Sequence, residues 1–165
     1  GELNMNKEHL PTPDLCDQNE GDVEALNMQF NHYGQIKSFF GQVVTVKCFE
    51  DNSKVKETIN QPGLGKVLVV DGGGSMAKAL MGDMVAEAAI NNEWSGVVIA
   101  GCIRDVQVID ELAIGVKALG THPMKTQKRG EGQVDVAITL GDVTINPGQY
   151  LYADLNGVII SDNIL

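Results

Sequence analysis

The chain has 165 residues, 43% of them hydrophobic and 21% charged, a composition that suits one α/β domain burying roughly 70% of the surface its unfolded form exposes. Lys and Arg number 12 against 22 Asp and Glu, and the formal net charge of −10 repels a polyanion such as DNA or RNA. The partners left open are a small anion held through a metal and a basic protein segment. No apolar stretch approaches the ~18 residues of a membrane span, and the N-terminus lacks the basic and apolar regions of a signal peptide, so a cytoplasmic protein is expected. Cys16, Cys48 and Cys102 are odd in number, with neither CxxC spacing nor a nearby His at metal-ligand spacing, and read as reduced thiols. Gly1 to Asn4 precede Met5 and have the look of an expression remnant, so the single domain is taken as residues 5–165.

In chain order, residues 5–13 read as an extended lead-in, and Thr12 to Asp17 start a short helix with Asp14 or Asp17 as cap. Residues 21–34 mix apolar and polar side chains without period and are expected to be irregular. Phe39 to Phe49 is rich in β-branched and aromatic residues and predicts a strand. Glu50 to Ser53 then caps a helix over 54–60. Val67 to Val70 and Gly96 to Ala100 are apolar without alternation, which fits strands buried on both faces. The stretch between them predicts a glycine turn and then a helix. Residues 106–112 suit a short helix and 115–119 a strand. The basic run 125–133, KTQKRGEGQ, reads as a solvated loop. Val134 to Leu140 and Val143 to Ile145 are strands joined at Gly141-Asp142, which favours a type I′ turn. Tyr150 to Ala153 and Val158 to Ile160 complete a β-rich C-terminal third.

Three stretches could carry chemistry. Gly72, Gly74 and Ala77 fit a loose GxGxxA spacing, but Asp71 stands between the strand and the first glycine, and no GK[ST] follows, so a turn that admits close approach is the better reading. Gly82 to Val85 can be read in two ways. It is either the interior of one long helix from Ser75 to Asn92, or a break with Asp83 capping a helix over 84–92 and free N–H groups at Met84 and Val85 facing an anion. Arg104–Asp105 follows a buried strand, where open α/β sheets place their ligands. Arg offers a planar fork for a carboxylate and Asp a hard oxygen for Mg²⁺ or Mn²⁺, although an Arg–Asp surface pair would look the same locally. His9, His32 and His122 are scattered, which argues against zinc held by imidazole.

Asp83, twenty intervening residues and then Arg104–Asp105 resemble the aspartate, X20, arginine–aspartate signature of the RraA-like family. That family includes metal-dependent 4-hydroxy-4-methyl-2-oxoglutarate aldolases and regulators of ribonuclease activity. The likeness covers nearly the whole chain, through TPDLCD at 12–17, KCFEDN at 47–52, LVVDGGGS at 68–75, GCIRD at 101–105, and Pro147-Gly148 through Tyr152 to Val158. It implies a single α/β domain with a β/β/α swivelling-type core like that of phosphohistidine domains, and a homotrimer with active sites at subunit interfaces. By matching position, Asp105 would hold a divalent cation, Mg²⁺ or Mn²⁺. Arg104 would bind substrate and stabilise a pyruvate enolate, Asp83 would help activate water at the metal, and Gly82, Asp83, Met84 and Val85 would contact substrate.

The implied activity is cleavage of 4-hydroxy-4-methyl-2-oxoglutarate, an α-keto acid, to pyruvate, with oxaloacetate decarboxylation beside it. The alternative is a non-catalytic regulator that binds a ribonuclease E-type enzyme, with no direct contact to nucleic acid. Two departures from the longer aldolases stand out. The chain is short, without the C-terminal extension that carries a further acidic residue to a neighbouring subunit's site, and Gln149 stands where Asp is common after Pro-Gly. The short length and KCFEDN look more like the regulator branch, whereas the intact Asp105 looks like the aldolases.

Overall fold

A computed structural model describes residues 9–165, so the expected start of the domain at residue 5 lies outside the described residues. Four parallel strands form the centre of the sheet: β3 (Phe39–Lys47), β4 (Val67–Asp71), β6 (Gly96–Ile103) and β7 (Val116–Thr121). Short β1 (Val23–Ala25) and β2 (Asn31–Tyr33) close the two edges, and β11 (Tyr150–Asp154) and β12 (Gly157–Ser161) extend the sheet beyond β3. The order is β1-β12-β11-β3-β4-β6-β7-β2, with β5 (Ala79–Met81) pairing onto β6 and β8 (Gln133–Val134) onto β3. This is a single-domain α/β fold with a β-rich C-terminal region, as the sequence pattern predicts, and its sheet is mixed.

The two apolar runs are unbroken because each face of the central strands is covered. In β4, Leu68 and Val70 join the core under helices α2 (Ser53–Ile59), α3 (Asp83–Asn91) and α4 (Val106–Ile109), whereas Val67 and Val69 join the core on the other side. That second core is roofed by the hairpin of β9 (Ile138–Leu140) and β10 (Val143–Ile145), through Ile138, Leu140, Val143 and Ile145. Between them Gly141 and Asp142 both have positive φ, 52° and 66°, the pair that a type I′ turn requires.

Several expectations are corrected. Residues 79–81 form a strand, not a helix: Ala-Leu-Met favours a helix locally, but all three side chains are buried where they pair beside β6. Residues 21–34 hold two edge strands too short for a period to show. Helix α1 (Thr12–Gln18) is capped by neither Asp14 nor Asp17. Its first residue is held from afar, since the Thr12 N–H and hydroxyl donate to Asp154 at 2.7 and 2.8 Å. Cys16, Cys48 and Cys102 are unpaired, as expected, and no helix among the described residues is long and apolar enough to cross a membrane.

Candidate active site

The parallel strands β4, β6 and β7 deliver their carboxyl ends to one edge, and β5 decides what happens there. Met81 lies opposite Ile103, and the Arg104 N–H donates to the Met81 carbonyl at 2.9 Å. The residues that follow each strand, Gly82–Asp83 and Arg104–Asp105, therefore become neighbours despite their separation in sequence. Gly82 is the N-cap of α3 with an extended backbone, and Asp83 is the first helical residue, which corrects the expectation of Asp83 as cap. The chain does break at Gly82, so the reading with an open helix N-terminus is the one realised.

Asp105 sits in the left-handed region, φ 59° and ψ 37°, a conformation Asp tolerates better than most residues. This turns its carboxylate back over α3, where Oδ2 accepts the Asp83 N–H at 3.1 Å. A Cβ at position 82 would lie 2.6 Å from that oxygen, so only glycine leaves room for it. Met84 and Val85, the next residues of the first turn, have N–H groups with no acceptor inside the helix. The Arg104 Nη1 reaches the Pro123 carbonyl at 3.3 Å, which ties the guanidinium to the loop after β7.

All six residues singled out from the sequence, Gly82, Asp83, Met84, Val85, Arg104 and Asp105, line one cleft of about 210 Å³. Its volume lies below the roughly 300–1,000 Å³ of drug-sized sites and suits a small acid. The same cleft is lined by Lys56 from α2, by Asn60 at the C-cap of that helix, by Asn52, and by Lys125 and Lys128, none of which sequence reasoning had singled out. Lys125 and Lys128 belong to the run expected to be a solvated loop. They are solvent-exposed, as expected, but the loop folds back along β5, with the Ala79 N–H donating to the Met124 carbonyl at 2.8 Å. The signal that could have found them is charge: in an acidic chain, the one basic stretch is where an anion would be met. None of Lys56, Arg104, Lys125 and Lys128 is ion-paired among the described residues, whose salt bridges are Lys54–Glu57 and Arg129–Glu131. The cleft thus carries four cations against Asp83 and Asp105.

Residues 12–160 match the family described as RraA-like, Aldolase/RraA. The chain belongs to the RraA-like family. A relative in Pseudomonas fluorescens strain SBW25, provisionally named 4-hydroxy-4-methyl-2-oxoglutarate aldolase, is 57% identical over 95% of this chain and 96% of its own length. Among solved structures, the RNA-processing inhibitor RraA of Thermus thermophilus is 39% identical with a TM-score of 0.92, covering 96% of each chain. A Geobacillus kaustophilus protein, described as an S-adenosylmethionine:2-dimethylmenaquinone methyltransferase, is 43% identical with a TM-score of 0.91, over 94% of this chain and 97% of that one. Three different activities are named on this one RraA-like fold, so the fold does not choose among them and the residues of the cleft must. Gln149, the departure after Pro-Gly, lies outside the cleft lining, where it bonds to the Asn146 N–H and to Asp162.

Proposed function

We propose that the chain is a divalent-metal-dependent lyase that cleaves 4-hydroxy-4-methyl-2-oxoglutarate into two molecules of pyruvate, and that it decarboxylates oxaloacetate through the same enolate. The observation that carries this reading is the meeting of Asp83, Arg104 and Asp105 at one helix N-terminus, in a cleft whose other charged residues are the cations Lys56, Lys125 and Lys128. The names of the close relatives point the same way.

The donor set fits a hard cation such as Mg²⁺ or Mn²⁺, which takes one or two carboxylates and keeps several waters. Oδ1 of Asp105 has no hydrogen-bond partner among the described residues, while Oδ2 is steadied by the Asp83 N–H, so Asp105 would hold the ion. Once bound, the ion would act as a Lewis acid on the 2-keto oxygen, an effect worth roughly several kcal/mol.

The protein's own groups do the rest. The Met84 and Val85 N–H groups, at the positive end of α3, receive the C1 carboxylate. Asp83 takes the proton of the C4 hydroxyl through water, a transfer worth roughly 10²- to 10⁴-fold. As that proton leaves, the C3–C4 bond breaks. The C4 fragment departs as pyruvate, and the other fragment is left as an enolate whose charge pairs with the Arg104 guanidinium until C3 is protonated. The C5 carboxylate meets Lys56, Lys125 and Lys128, and the positive cleft raises the local concentration of a dianion.

On the same reading the subunits form a homotrimer with sites at the interfaces, the core is of the β/β/α swivelling type of phosphohistidine domains, and the protein works in the cytoplasm. Met84, Val108 and Met124, exposed by 75%, 38% and 56% on elements that frame the cleft, suit an interface there. A coupled pyruvate assay with Mg²⁺, repeated with chelator and with Arg104→Ala, tests the proposal: equal rates in all three would end it.

A second reading, a regulator that binds a ribonuclease E-type enzyme through its acidic exterior, is favoured by the likeness to the Thermus protein and by the charge of −10. Inhibition of RNA cleavage should then weaken with salt, and absence of binding at low salt would remove this reading. The two activities are compatible in one molecule.

A further inference from the structure

The loop that brings Lys125 and Lys128 to the cleft has little regular structure of its own. Between the end of β7 at Thr121 and β8 at Gln133 it makes one isolated bridge, Ala79 to Lys125. Its start is held on β5 and β6, by the Ala79 N–H on the Met124 carbonyl and the His122 N–H on the Ile103 carbonyl, and from Thr126 onward it is held by Asn52 and Asp51, at the corner between β3 and α2.

Asp51 is completely buried, 0% exposed, although it is a carboxylate. Its Oδ1 accepts the N–H and hydroxyl of Ser53, an ordinary local turn. Its Oδ2 accepts the N–H groups of Arg129 at 2.8 Å and Glu131 at 3.2 Å, far along the chain. Ser53 Oγ in turn accepts the Gly130 N–H at 3.1 Å. The neighbouring Asn52 completes the clasp: its amide donates to the Leu80 carbonyl at 3.1 Å, and its Oδ1 accepts the hydroxyl of the buried Thr126 at 3.0 Å. Three walls of the cleft, namely the α2 corner, β5 and the lysine loop, are thereby fastened to one dipeptide. A turn into α2 needs only the Ser53 contacts, which an exposed Asp makes equally well. Burying the charge is worthwhile only for what Oδ2 holds, since a buried carboxylate left without donors is costly.

We propose that Asp51 is a positioning residue for substrate selection: by fixing the backbone of Arg129 to Glu131 it holds Lys125 and Lys128 over the cleft, and so sets the preference for a substrate with a second carboxylate. This rests on the aldolase reading above. Asp51 itself touches no substrate, and the backbone at the α3 end of the cleft is held by the pairing of β5 with β6 and by the Asp83 N–H on Asp105, bonds that Asp51 does not make; the Arg104 guanidinium meets the loop at Pro123, before the stretch that Asp51 fixes.

The test uses Asp51→Asn in the full chain, where an amide N–H₂ faces backbone donors in place of a carboxylate oxygen. Three measurements are made with Mg²⁺ present: kcat and KM for 4-hydroxy-4-methyl-2-oxoglutarate, the same for 4-hydroxy-2-oxopentanoate, which lacks the second carboxylate, and exchange of the pyruvate methyl protons in D₂O followed by NMR. The expected result is a KM for the dicarboxylate raised roughly 10-fold, the loss of about one charge-assisted hydrogen bond. Turnover of the monocarboxylate and methyl exchange should stay within twofold, while backbone hydrogen exchange over 125–131 accelerates. In a Lys125→Ala/Lys128→Ala background, Asp51→Asn should add less than twofold to the KM change, because both alterations remove the same contacts.

An unchanged dicarboxylate KM, or an equal fall in all three activities, overturns the proposal. So does a full extra effect in the lysine-free background. Should Asp51→Asn fail to fold, Thr126→Val makes the same measurements from the other side of the clasp, with the same outcomes expected. A parent protein that neither cleaves nor exchanges pyruvate protons would instead mark the failure of the aldolase reading.

Discussion

Gly82→Ala adds a single methyl group at the point where the cleft is tightest. The Gly82 backbone is extended, φ −129° and ψ −161°, so alanine adopts it without strain. The new carbon would lie 2.6 Å from Asp105 Oδ2, roughly 1 Å short of ordinary contact, and 3.5 Å from Arg104 Cγ. The carboxylate must swing away, and in doing so it loses the Asp83 N–H. A hydrogen bond to a charged group is worth about 1.5–3 kcal/mol. If the Asp105 position is needed in the transition state, that converts to about a 10- to 150-fold fall in kcat/KM. Pyruvate release, coupled to NADH oxidation at saturating Mg²⁺, reads the effect. Lost from the folded state, the same bond should lower the thermal midpoint by about 3–12 °C, at about 2–4 °C per kcal/mol for a chain of this size. A Gly82→Ala protein with kcat/KM within twofold of the parent would refute the reasoning, since the carboxylate would then have moved at no cost.

Other outcomes follow from the same site. Arg104→Ala should lower kcat by roughly 10²- to 10³-fold, the usual effect of removing a group that stabilises an oxyanion, and a merely raised KM would argue against that role. Chelation should abolish pyruvate formation, with Mg²⁺ or Mn²⁺ restoring it, while far-UV circular dichroism stays unchanged because both cores form without the ion. Lys125→Ala/Lys128→Ala should raise KM for dicarboxylates and flatten the fall of kcat/KM with ionic strength, and an unaltered salt slope would remove those lysines from substrate capture.

His32 offers a test of stability against pH. Burial, followed by the nearby Lys117 ammonium, lowers its pKa to about 4, and its Nδ1 is buried without a partner among the described residues. The unfolded chain takes up that proton near its ordinary value of about 6.5. Stability should therefore fall as pH drops from about 6.5 to 4, by at most about 3 kcal/mol, and His32→Leu should remove that slope in urea titrations. Parallel pH profiles for the two proteins would contradict it.

The sequence by itself determined the centre of the sheet, because a strand buried on both faces has no polar position to spare, and VLVV and GVVIA read that way without any tertiary information, although the second strand runs on to Ile103. It also determined the tight hairpin at Gly141-Asp142, where the positive φ values are a local demand. The candidate residues were legible too: Arg104 and Asp105 are chemically out of place behind an apolar run, and Gly82-Asp83 offer a break in a helix pattern. What the tertiary structure alone decided is how these pieces meet. Ala79 to Met81 is a strand only because β6 offers an edge to pair with, and that pairing, not the chain between, brings Asp83 beside Asp105. The basic run at 125–133 shows the same limit from the other side. Its charges predict exposure, and its lysines are exposed, but the buried carboxylate of Asp51 determines which surface they face. Local sequence sets what each segment prefers in isolation, whereas long-range hydrogen bonds made on burial select among those preferences, and it is these that join the cationic and carboxylate halves of the cleft.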